Sequence, residues 1–250
     1  MTEEAAPAAK THPERRTLRW LLGGQIAIAA VLVLIDLAPA VPGLMSPSDA
    51  PALDRPTRPG DQTRRYRPRD PAHPGPGVDP DMPRRLILST VEGDRPTVLL
   101  RGAVEPGDGE RIVRALEAEA AELVQLDSPG GSVSDALDIG RTIRALGLDT
   151  ALAPGAVCFS ACPYMFTGGV ARTVSEDARL GVHQHSFGES TLLPAFLAVE
   201  DVQRGQAEVL AHLDAMGIDL GIMGPAMATP ADEIYILTGE ELVDWDVVTE

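Results

Sequence analysis

Three short segments of this 250-residue chain hold side chains able to do chemistry. The first is Gly155-Ala156-Val157-Cys158-Phe159-Ser160-Ala161-Cys162, where a serine stands between small residues at an inferred helix start. A helix N-terminus presents unpaired N–H groups and the positive end of the dipole. Ser160 there either caps the helix or acts as a nucleophile whose alkoxide and oxyanion those groups stabilise. The second is Leu180-Gly181-Val182-His183-Gln184-His185, an apolar run ending in alternating histidines. His183, 23 residues after Ser160, is either a structural imidazole or a general base. His183 and His185 have no further ligand cluster beside them, so no metal site is expected. The third is Asp127-Ser128-Pro129-Gly130-Gly131-Ser132-Val133. Its paired glycines let backbone approach a ligand closely, or simply make a turn between two elements.

The elements around these segments alternate in period. Leu86–Leu88, Val98–Leu100, Leu123–Leu126, Thr150–Leu152 and Leu180–His183 read as strands. Glu110–Leu123, Val133–Leu146, Ser160–Phe166 and Leu197–Met216 read as helices. Such alternation predicts an α/β domain over residues 84–250 with largely parallel strands. Ligands gather at the carboxyl ends of strands in folds of this kind, and all three segments lie at such ends.

The first third of the chain is a different object. Residues 1–90 carry twelve basic and ten acidic side chains, whereas residues 91–250 carry nine and 27, within a total net charge of −16. An acidic domain argues against nucleic acid as a partner. Trp20–Ile35 is free of formal charge, and a helix of that length spans roughly 24 Å, close to a bilayer core once extended through Ala38. Lys10, Arg15, Arg16 and Arg19 precede it, and no basic residue follows until Arg55. This predicts a cytoplasmic segment over 1–19 and a single transmembrane signal anchor over 20–38 in the lipid bilayer. The rest of the chain would then be extracytoplasmic, periplasmic in a Gram-negative cell. A cleaved signal peptide ending at Ala38-Pro39-Ala40 is the competing reading, disfavoured by Asp36 and the long leader. Residues 42–83 hold eleven of the 22 prolines and show no apolar periodicity, which predicts an extended, disordered tether.

Taken in order, the three segments resemble the Clp protease proteolytic subunit and, more broadly, the Clp/crotonase superfamily. The resemblance spans roughly residues 86–248 and includes Leu237-Thr238-Gly239-Glu240-Glu241-Leu242, which is similar to the family's terminal helix start. It implies a Clp/crotonase-like spiral of ββα units with mostly parallel sheets. It further implies that Ser160 attacks a carbonyl, that His183 takes its proton, and that the N–H groups of Gly131 and Ala161 form the oxyanion hole. For the acid that orients His183, Thr229-Pro230-Ala231-Asp232 matches the family pattern if two residues are inserted before Thr238, making Asp232 the candidate and Glu233 the second. The Cys-x-Ser-Ala-Cys stretch and the anchor look most like exported, membrane-linked members. By analogy with the family, a homo-oligomer is expected.

Lys10 is the only lysine and lies before the apolar run, which excludes the Ser-Lys dyad of related signal peptide peptidases. Acyl-CoA chemistry is disfavoured by the acidic domain, and no cofactor is expected. Substrates would be peptides or unfolded protein segments added as an extra strand. Cys158 and Cys162 either form a disulfide, which an oxidising compartment permits, or remain two small buried thiols. The expected function is a membrane-tethered serine peptidase. Its rivals are a catalytically silent scaffold on the same fold and a lipid-surface adaptor acting through the arginine-rich tether.

Overall fold

The computed structural model describes residues 13–37, 62–66, 75–185 and 195–249. The chain divides into two compact units, Met1–Ala52 and Leu53–Glu250. In the first, α1 (Pro13–Leu37) is a helix of 25 residues. Its described side chains, residues 19–33, are exposed, Trp20, Ile26 and Leu32 among them. Among the described residues no helix is long and apolar enough to cross a membrane; the charge-free run continues beyond residue 33, where side chains are no longer described. The leader up to residue 12, the Ala38–Ala40 stretch and residues 38–61 and 67–74 of the expected tether lie outside the described residues.

The second unit is α/β, built on two sheets. The five-stranded sheet joins β2 (Ile87–Val91), β3 (Thr97–Arg101), β4 (Leu123–Asp127), β5 (Asp149–Leu152) and, at its far edge, β7 (Arg172–Val174). From β3 onward its strands are parallel, while β2 is an antiparallel edge. The helices α2 (Asp108–Ala118) and α3 (Val133–Ala145) cross between strands and bury apolar stripes, Ile112 and Leu116 on α2 and Leu137, Ile139 and Ile143 on α3. The helix expected to run to Leu123 stops at Ala118, because Glu119 turns extended and Leu123 pairs in register with Thr97. The N-termini of α2 and α3 are joined by Asp135, whose carboxylate accepts from the N–H groups of Gly107 (2.9 Å) and Gly109 (2.7 Å).

The four-stranded sheet has the order β1 (Thr63–Arg65), β9 (Glu233–Ile236), β8 (Arg179–Val182), β6 (Val157–Phe159). Only β6 and β8 are parallel; β9 is antiparallel to both β8 and β1. Strand β1 corrects the expected tether, since residues 62–66 belong to the folded unit and Tyr66 is fully buried in a cluster with Val78, Phe159 and Ile234. Arginines at two of the three β1 positions disguised it as linker, yet an edge strand tolerates charge on its open side. The remaining helices are α4 (Cys162–Phe166), α5 (Ala195–Ala215), α6 (Met223–Ala228) and α7 (Gly239–Asp244). Thr238 caps α7 in a capping box with Glu241, so the terminal Thr-x-x-Glu sequence has a local structural cause.

Candidate active site

The parallel register of β6 and β8 sets Phe159 opposite Gly181. Ser160 and His183 therefore leave neighbouring strand ends in the same direction. The Ser160 N–H donates to the Gly181 carbonyl at 3.1 Å, tying the serine turn to β8. Ser160 has φ +61°, a left-handed conformation that L-residues seldom adopt. Its Oγ lies 2.7 Å from Nε2 of His183. Burial, together with the neighbouring His185, lowers the His183 pKa to about 4, so the ring is neutral at pH 7. A neutral imidazole with hydrogen on Nδ1 accepts from the serine hydroxyl through Nε2, the arrangement required of a general base.

The other ring nitrogen is different. His183 Nδ1 is buried and has no hydrogen-bond partner. The main chain at Ala231 and Pro230 faces the ring and offsets part of the pKa shift, without meeting hydrogen-bond geometry at Nδ1. Asp232 is exposed and its carbonyl accepts from the Tyr66 N–H at 2.8 Å. Glu233 opens β9 opposite Arg65. Neither carboxylate hydrogen-bonds Nδ1 of the imidazole. The register of β9, with Val182 opposite Tyr235, brings backbone rather than an acid past His183.

The glycine turn abuts the serine turn. Ser128 bridges β4 to β6, its N–H donating to Val157 and its carbonyl accepting from Phe159. Gly130 has φ +88°, and a Cβ there would come within 2.6 Å of Ser160 Cβ and 2.8 Å of the Ala161 nitrogen. Val104 grips the next step, donating to the Gly130 carbonyl and accepting from the Ser132 N–H. Among the described residues the N–H groups of Gly131 and Ala161 have no acceptor, which leaves both for a ligand oxygen.

A disulfide links Cys158 and Cys162 around this turn, with Cα atoms 5.1 Å apart and both residues buried. His183 also lines a cleft of about 230 Å³, with Tyr164, Gln184 and His185 and the apolar side chains of Val202, Met223 and Met227. His185 Nε2 meets the Tyr164 hydroxyl at 2.7 Å. Among the described residues no three metal-ligating side chains cluster.

Sequence reading missed Tyr66. Its ring packs edge-on against His183, and its hydroxyl donates to the Pro129 carbonyl. One signal was present: Tyr66 is the only aromatic residue between Trp20 and Phe159.

No protein-family model and no curated protein matches the chain. Among solved structures it is similar to the 1510-N membrane-bound stomatin-specific protease in a mutant form. The identity is 19%, the match covers 61% of this chain and 75% of that one, and the TM-score is 0.43, too loose a likeness to assign a function.

Proposed function

We propose that this chain is a membrane-anchored, extracytoplasmic serine peptidase working with a Ser160–His183 dyad. The observation that carries the reading is the 2.7 Å contact between Ser160 Oγ and His183 Nε2, beside two N–H groups with no acceptor among the described residues. Ser160 Oγ attacks the substrate carbonyl carbon as His183 takes the hydroxyl proton. The carbonyl oxygen gains the charge and is held by the N–H groups of Gly131 and Ala161. Collapse breaks the C–N bond, and the leaving amine takes the proton from His183. Water then attacks the acyl-enzyme with His183 again as base, returning Ser160 to its free form. The motif order resembling the Clp proteolytic subunit supports the peptidase assignment, and the cleft beside His183 suits a peptide side chain. The exposed apolar face of α1 and the basic residues ahead of it support anchoring.

The unpartnered Nδ1 of His183 favours a second reading, a silent binding domain on the same scaffold. Fluorophosphonate labelling separates the two. The peptidase reading expects labelling that is lost in Ser160→Ala and in His183→Ala. Equal labelling of wild type and Ser160→Ala would remove Ser160 as nucleophile.

A further inference from the structure

A base that hands protons to and from a reacting oxygen must be held within a fraction of an ångström. In a Ser-His-Asp site a carboxylate on the second ring nitrogen does this. Here that nitrogen has no partner, so something else holds the ring. Tyr66 touches His183 and the segments that carry the serine and the glycine turn. Its ring meets the His183 ring edge-on, with centroids 5.4 Å apart and planes at 80°. The same ring meets Phe159, the residue before the nucleophile, at 5.6 Å and 86°. Its hydroxyl donates to the carbonyl of Pro129, which leads into the Gly130–Gly131 turn. Its N–H donates to the Asp232 carbonyl at 2.8 Å, fixing the chain next to the Pro230–Ala231 main chain that faces the imidazole. Gly75, at φ +103°, lies so close that a Cβ would reach the tyrosine ring at 2.6 Å. Tyr66 is fully buried, and burial raises its pKa, so the hydroxyl remains a neutral donor.

We propose that Tyr66, delivered by the edge strand nearest the tether, is the positioning residue of this site: its ring holds the His183 imidazole against Ser160 and its hydroxyl holds the oxyanion turn. This rests on the serine peptidase reading above. It also means that the base is steadied by aromatic contact where no carboxylate hydrogen-bonds Nδ1.

The test is the fluorophosphonate labelling kinetics of the full-length protein, resolved into kinact and KI, with thermal unfolding measured alongside. Tyr66→Phe keeps the ring and removes one hydrogen bond, so kinact should fall roughly 3- to 10-fold. Tyr66→Ala also frees the imidazole and should lower kinact on the order of 100-fold. KI should hold in both, and the phenylalanine variant should recover most of what the alanine variant loses. If the alanine variant does not fold, the phenylalanine variant decides. Wild-type kinact in a folded Tyr66→Phe overturns the proposal while leaving the peptidase reading intact, and so does a loss carried by KI. A wild type with no Ser160-dependent labelling removes both.

Discussion

Replacing Ser160 by glycine should yield a more stable protein than replacing it by alanine. Both substitutions delete the hydroxyl and its 2.7 Å contact with His183, so that loss cancels in the comparison. What remains is the backbone. Residue 160 is held at φ +61°, where an L side chain costs roughly 1–2 kcal/mol. Glycine escapes that cost but loses more freedom on folding, a penalty of roughly 0.5–1 kcal/mol. The balance favours Ser160→Gly over Ser160→Ala by about 0.5–1 kcal/mol. For a domain of this size that corresponds to a Tm higher by about 1–4 °C. Calorimetry of the two variants in one buffer measures it, and both should be silent to fluorophosphonate. An alanine variant as stable as the glycine variant, or more so, would show that the serine turn carries no strain.

Asp232→Asn should leave kinact within about threefold of wild type, whereas a triad aspartate lost this way lowers turnover by about 10⁴; a drop of that order would put the carboxylate on His183 during reaction. Labelling should be level between pH 6 and 8 and fall as the pH drops through about 4, where His183 takes a proton. A midpoint near 6.5 would show an imidazole in contact with water. Because His183 and His212 are both lowered to about 4 by burial, the unfolded chain binds protons first, so stability should decline from about pH 6.5 down to about pH 4. Acid titration of the Tm checks the sign. Replacing Cys158 and Cys162 together by alanine opens a five-residue loop and should lower stability by about 2 kcal/mol, read from urea unfolding; an unchanged midpoint would mean the crosslink does not restrain the turn.

Periodicity made β2 to β5 of the five-stranded sheet legible. Val124 and Leu126 on β4, and the Leu137, Ile139 and Ile143 stripe on α3, are apolar in the pattern that each element buries. The serine, the histidine and the glycine pair were legible because strand ends carry small and polar residues where a continuing strand would carry apolar ones. The edges were not. Strands β1, β6 and β7 have three residues each, too few for an alternation to show, and arginines dominate β1. Nor was the surrounding of His183 Nδ1 legible, because main-chain groups of Pro230 and Ala231 leave no mark in side-chain chemistry. A motif count that looks for a carboxylate at that place will nominate Asp232.

Strand β1 lies early in the chain and its partner β9 lies near the end, with Thr63 opposite Tyr235. During synthesis the segment bearing Tyr66 must therefore wait, unpaired, until some 170 later residues have emerged. Closure of that edge of the sheet waits for β9 to emerge. On the reading proposed above, a nascent chain would bring Ser160 and His183 together on β6 and β8 before Tyr66 could be seated against the base.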